Sequence, residues 1–233
     1  MTEARQISYQ FCTEDGAQRS FNVDFDQAGL ALQSVSDRAL PDWTRLECHQ
    51  CPGCPLTQAA VAHCPMAAAL VDVQSFAVHL DSFNPLTVTV IMPEREIHTV
   101  VPVQRALSSL MGLLIATCAC PDVAWLRPMA RFHLPMASEE ETIYRATSMY
   151  LLAQYFRYKA GAEPDLELQG LQRRYRRLHE INMAMAARLR STIEKDASIN
   201  AVILLDMFAK AMPYSVDDSV AELEELFRTY LDR

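Results

Sequence analysis

The run Leu86-Thr87-Val88-Thr89-Val90-Ile91-Met92, the dipeptide Pro93-Glu94, the run Glu96–Val101 and then Val103–Thr117 decide the class of this fold. Leu86, Val88 and Val90 alternate with Thr87 and Thr89, the period of a strand with one buried face. Pro93-Glu94 supplies a turn, so Leu86–Met92 and Glu96–Val101 are expected to pair as a hairpin. The period then changes. Past Leu110 the stretch Val103–Thr117 is apolar on most sides, which marks a central buried helix. A chain that pairs strands first and then turns to helices is α+β.

The same patterns extend in both directions. In Ile7–Cys12 the residues Ile7, Tyr9 and Phe11 alternate with Ser8, Gln10 and Cys12, and Phe21, Val23 and Phe25 alternate with Asn22 and Asp24. Asp15-Gly16 lies between them, where a tight turn needs positive φ, so a first hairpin is expected. A Cys- and Pro-rich loop follows over residues 42–65, and Pro65–Leu70 reads as a short helix with proline in its first turn. Toward the C-terminus, Ser138-Glu139-Glu140-Glu141 is an S-x-x-E capping box opening a helix to about Tyr158 that stops near Gly161. Pro164 is expected to open a long helix to about Ile193, with Leu168, Leu171, Tyr175, Leu178, Met185 and Leu189 at alternating spacings of three and four. Two helices, about Ala197–Met212 and Val216–Leu231, complete the chain, with Pro213 breaking between them. Residues 1–101 thus form a β-rich part bearing the metal-binding loop 42–65, and residues 102–233 a helical bundle. No repeat or low-complexity linker separates them, so one integrated unit is expected.

Composition limits the function. The 233 residues suffice for one large domain or two small ones. With 21 basic and 29 acidic residues the net charge is −8 and the sequence pI about 5.2. That argues against broad binding of nucleic acid, which needs a positive surface. The Arg173, Arg174, Arg176 and Arg177 patch is read as a solvated helix face. Six scattered glycines assemble no phosphate loop, and no G-x-S-x-G, H-E-x-x-H or G-K-[ST] occurs, so no catalytic motif is recognisable. Met1–Phe11 has no apolar signal region, and Leu110–Cys120 is about half the roughly 20 residues of a membrane span. The expectation is a cytoplasmic protein with no membrane association.

In a reducing compartment seven cysteines are better read as metal ligands than as disulfides. Cys48-His49-Gln50-Cys51-Pro52-Gly53-Cys54-Pro55 precedes His63-Cys64-Pro65. Two thiols separated by two residues can face one ion, and a closed tetrahedral site needs four nitrogen or sulfur donors. Cys48, His49, Cys51, Cys54 and Cys64 are the candidates, with His63 beside them. Zinc suits this set, and the adjacent histidines favour it. Three cysteines at i, i+3 and i+6 with a further Cys-Pro also suit an iron–sulfur (4Fe-4S) cluster. Cys118-Ala119-Cys120 follows the apolar helix and reads more readily as packed thiols.

These runs, with Trp43–Glu47, Ser108–Leu114, Arg127–Pro135, Glu139–Tyr144 and Ser148–Phe156, resemble a bacterial family of unknown function carrying a His-Gln-Cys-Pro-x-Cys-Pro-Leu motif. The likeness covers most of the chain. It implies His49, Cys51, Cys54 and Cys64 as ligands, with Cys48 the alternative to His49, and it implies no activity.

Arg127, Arg131 and His133 precede the Ser138 helix and form a candidate anion site, since guanidinium forks and free amides suit phosphate or carboxylate. The alternative is that they pair within the fold, for instance with Glu139–Glu141. The leading expectation is a metal-binding protein, zinc its cofactor, that acts by binding a protein partner or a small anionic ligand. An iron–sulfur redox protein or sensor is the alternative, and an enzyme using the Arg/His pocket a second. Asn182 in the helical stripe leaves a homo-oligomeric seam open.

Overall fold

The structure, a computed structural model, describes residues 5–26, 31–32, 39–191 and 197–231. It is α+β: an N-terminal four-stranded antiparallel sheet and about eight helices among the described residues. The strands are β1 (Arg5–Cys12), β2 (Gln18–Phe25), β3 (Pro85–Met92) and β4 (Arg95–Pro102), in the order β2-β1-β3-β4. Both hairpins read from the sequence form, and β1 joins them, with Tyr9 opposite Phe21 on one side and Val90 on the other. Gly16, at φ 84°, occupies the left-handed region in the first turn. The alternation does what its period demands: Ile7, Tyr9, Phe11, Val23, Phe25, Leu86, Val88 and Val90 are buried on one face. Phe76 stacks on Phe11 at 5.8 Å between ring centres and meets Phe21 edge-on at 5.7 Å.

Helices α1 (Pro65–Ala69) and α2 (Val71–Ala77) lie between the two hairpins, α1 with proline in its first turn. Helix α3 (Val103–Thr117) has the expected bounds and packs against β3 and β4, with Leu107, Leu110 and Met111 fully buried. A 3-10 turn, Pro121–Leu126, leads into α4 (Arg127–Arg131). Then come α5 (Glu139–Lys159), α6 (Gln169–Arg190), α7 (Ala197–Glu224), a 3-10 turn Glu225–Phe227 and α8 (Arg228–Leu231). None of the described helices is by itself long and apolar enough to cross a membrane.

By packing the chain divides into two compact units, Met1–Met136 with Glu180–Leu205, and Ala137–His179 with Asp206–Arg233. The first holds the sheet, the cysteine loop and α3. The second holds α5, whose capping box forms as read: Glu141 N donates to Ser138 Oγ at 3.1 Å, and Ser138 N donates to Glu141 Oε2 at 2.7 Å.

Two helix boundaries differ from the reading of the sequence. Pro164 does not open α6, which begins at Gln169. Leu168 has φ 57°, outside the right-handed helical region, so the helix starts beyond it. The Asp165 carboxylate supplies the cap, accepting from Gly170 N at 2.6 Å and Gln169 N at 3.3 Å. The expected end at Ile193 lies outside the described residues. Pro213 does not divide the last segment either, because α7 runs through it. Proline removes one intrahelical hydrogen bond and crowds the preceding turn, which weakens a helix without obliging it to stop.

Candidate metal centre

The cysteine loop begins and ends side by side. Leu46 N donates to Ala62 O at 3.0 Å and Cys64 N to Thr44 O at 2.8 Å, which closes an antiparallel bridge between Arg45 and His63. Inside it, Thr44 Oγ1 lies 2.7 Å from His63 Nδ1 and donates to Pro41 O at 2.6 Å. One ring nitrogen of His63 is thereby engaged. Arg188, 2% exposed, fastens this base from α6: its Nη1 donates to Trp43 O at 2.8 Å and to Arg45 O at 2.6 Å. Its Nη2 donates to Leu46 O at 3.4 Å.

Between the two arms the chain forms tight turns. Cys48 N donates to Arg45 O at 3.1 Å, and Cys54 N to Cys51 O at 3.1 Å. The second turn contains Pro52 followed by Gly53 at φ 64°, the pairing that a turn with a left-handed third residue favours. His49 also has positive φ, 46°, a conformation that histidine tolerates better than branched residues do. Gln50 Nε2 donates to Leu56 O at 3.1 Å and draws the tip of the loop together. Cys64 leads directly into α1.

Cys118 and Cys120 follow α3. Cys118 donates from Sγ to Ile115 O at 3.1 Å and is 1% exposed. Burial pushes its thiol up to about 12, the thiols of Cys120 and Cys64 act in the same direction, and Arg127 opposes them. Cys120 is pushed up to about 11, chiefly by burial, with Cys64, Asp122 and Cys51 adding to it. Among the described residues, which include all seven cysteines, no disulfide forms, and no three of His, Cys, Asp and Glu are already gathered as a metal ion requires.

The three residues of the candidate anion site have different surroundings. His133 Nε2 lies 2.5 Å from the Tyr9 hydroxyl, which also meets Ser109 Oγ at 2.8 Å. Tyr9 is fully buried, and that burial raises its pKa far above the ordinary value. Arg131 Nη1 stands 3.7 Å from Glu94 Oε1, and its guanidinium carbon lies 5.6 Å from the centre of the Phe132 ring. Arg127 Nε is buried without a hydrogen-bond partner among the described residues. Glu94, read only as a turn residue, accepts from Arg5 Nη1 and Nη2 at 2.6 Å each. That fork holds its carboxyl down at about 2, and the charges of Arg5 and Arg131 add to the effect. Nothing local marks Glu94, because its partner is supplied by the start of β1.

A family model described as a domain of unknown function, DUF6901, matches residues 7–228. The chain belongs to that family. The match spans both units, so the likeness to a family of unknown function holds at that level over most of the chain. No curated protein and no solved structure matches this DUF6901 chain.

Proposed function

We propose that the protein binds one zinc ion at the cysteine loop and that the ion is structural, supporting a protein that acts by binding a protein partner or a small anionic ligand. Cys51, Cys54 and Cys64 are the core of the donor set, and His49, or Cys48 in its place, is the loop's own candidate for the fourth position. The observation that carries this reading is the Cys51–Cys54 turn, closed at 3.1 Å around left-handed Gly53. Such a turn sets two thiols of a C-x-x-C pair as a chelating unit. The donor chemistry also fits, since thiolates and imidazoles are the ligands zinc prefers. Bound there, the metal would tie the loop to the start of α1 and exclude the unfolded loop by mass action.

Elemental analysis of the full chain, purified anaerobically with reductant, tests the reading. One zinc per chain and a colourless protein are expected, with Cys54→Ser and Cys64→Ser each lowering the zinc content. A brown protein with iron and acid-labile sulfide overturns zinc in favour of an iron–sulfur cluster, and a metal-free protein overturns both.

A further inference from the structure

We infer that the outer face of α5 is the seam of a homodimer, in which a second copy of this chain lies antiparallel along it; the inference stands apart from the zinc reading. Helix α5 is apolar on both sides. Its inner side, with Ile143, Ala146, Thr147, Tyr150 and Gln154, is buried. Tyr144, Leu151, Leu152, Tyr155, Phe156 and Tyr158 lie away from that side and are 37% to 64% exposed. A helix that is apolar all round is normally covered all round. At roughly 150–250 Å² per aromatic side chain, these residues leave on the order of 500 Å² of apolar surface open on one helix. Two copies joined there would cover about 1,000 Å², which with a polar rim reaches the roughly 1,200 Å² at which specific interfaces begin. The stripe on α6 does not serve this role, because Asn182 within it is buried.

Charge selects the occupant and its direction. The helix opens with Glu139, Glu140 and Glu141 and closes with Arg157 and Lys159. Lys159 follows Glu141 by 18 positions, which is five turns of 3.6 residues, so the two share the side that carries Leu152. A parallel copy would set the acidic turn against itself. An antiparallel copy, related by a two-fold axis at the level of Met149 and Tyr150, sets Glu140 and Glu141 against Lys159, and does so twice. The same register sets Tyr144 against Tyr155 and Phe156, and the exposed Ser148 against Leu151 and Leu152. One symmetric placement thus satisfies the apolar contacts and the charges together. Among the described residues neither Glu140 nor Lys159 enters an ion pair, so both charges are open to the second copy. These end charges also suit the dipole of their own helix, so assembly rather than stability distinguishes the two roles.

Sedimentation velocity of the full chain at low ionic strength, at concentrations up to about 100 μM, reads the mass. A species of twice 26.3 kDa is expected. Tyr155→Glu, at an exposed site, should leave the far-ultraviolet circular dichroism unchanged and sediment as single chains. Glu140→Lys alone and Lys159→Glu alone should each weaken the dimer about tenfold, because two like-charged contacts replace two opposite ones. An equimolar mixture of these two variants should dimerise as wild type does, since each contact in the mixed pair again joins opposite charges. No effect on the fold of either variant alone produces that rescue. A wild-type chain that stays single overturns the inference and leaves the face to a different protein. A dimer that Tyr155→Glu leaves intact overturns it as well. Charge variants that dimerise no better mixed than apart overturn the antiparallel placement. Should Tyr155→Glu fail to fold, the charge variants decide alone.

Discussion

Arg188 Nη1 donates to the carbonyl oxygen of Trp43 at 2.8 Å, across 145 positions of the chain. With its bonds to Arg45 O and Leu46 O, this one guanidinium satisfies the backbone at the base of the cysteine loop. The charge is almost wholly buried, and carbonyl oxygens are the partners that make such burial tolerable. Arg188→Met keeps much of the volume and removes every donor. It should lower stability by about 3 kcal/mol in urea denaturation, since several buried acceptors lose a charged partner at once. Protease should then cut residues 39–64 sooner than the sheet.

The Arg5–Glu94 fork gives an acid-sensitive contribution of defined sign. Glu94 falls from an ordinary 4.5 to about 2 in the folded chain, so it is charged in the native state where it would protonate in the unfolded one. Its contribution is present above the ordinary value and is lost as pH falls from about 4.5 toward 2. Glu94→Gln should therefore be less stable than wild type at neutral pH. Its stability should fall less steeply across that window, as read from thermal melts at a series of acid pH values.

Gly170 leaves room for the Tyr150 hydroxyl. A Cβ at this position would clash with Tyr150 Oη and lie 3.0 Å from Asp165 Oδ2. Gly170→Ala must therefore push out the ring that hydrogen-bonds Asp165 at 2.8 Å, and a loss of about 1–3 kcal/mol is expected. Tyr150→Phe removes the nearest of the two oxygens. In the double variant the two costs should add to less than their sum, which a double-mutant cycle measures directly.

Ser138→Ala removes the side chain that accepts from Glu141 N and should cost about 0.5–2 kcal/mol. Hydrogen exchange should report the loss first in the opening turn of α5. Ser138→Asp keeps an acceptor at the cap and should restore most of the protection.

The elements legible in the sequence are those whose physics is local. Both hairpins follow from alternation and a turn dipeptide, α3 from a run apolar on most sides past Leu110, and α5 from a capping box whose two hydrogen bonds span three residues. The start of α6 is not legible, because proline at a helix opening is a common local signal while the actual cap, Asp165, is held by Tyr150 from another helix. Pro213 misled for the converse reason: a breaking residue weakens a helix locally, but whether the helix continues depends on the chain around it.

For the candidate site, the C-x-x-C spacing and the later Cys-Pro of the loop stand in the sequence itself, because a turn and its two thiols are separated by only a few bonds. Arg188 as the anchor of the loop and Arg5 as the partner of Glu94 were decided by tertiary structure alone. Each depends on which elements lie side by side, α6 against the backbone of Trp43–Leu46 and β1 beside β3. That adjacency is set by burying apolar faces, a force without direction or sequence range, so no local pattern of residues records which distant side chains it brings together.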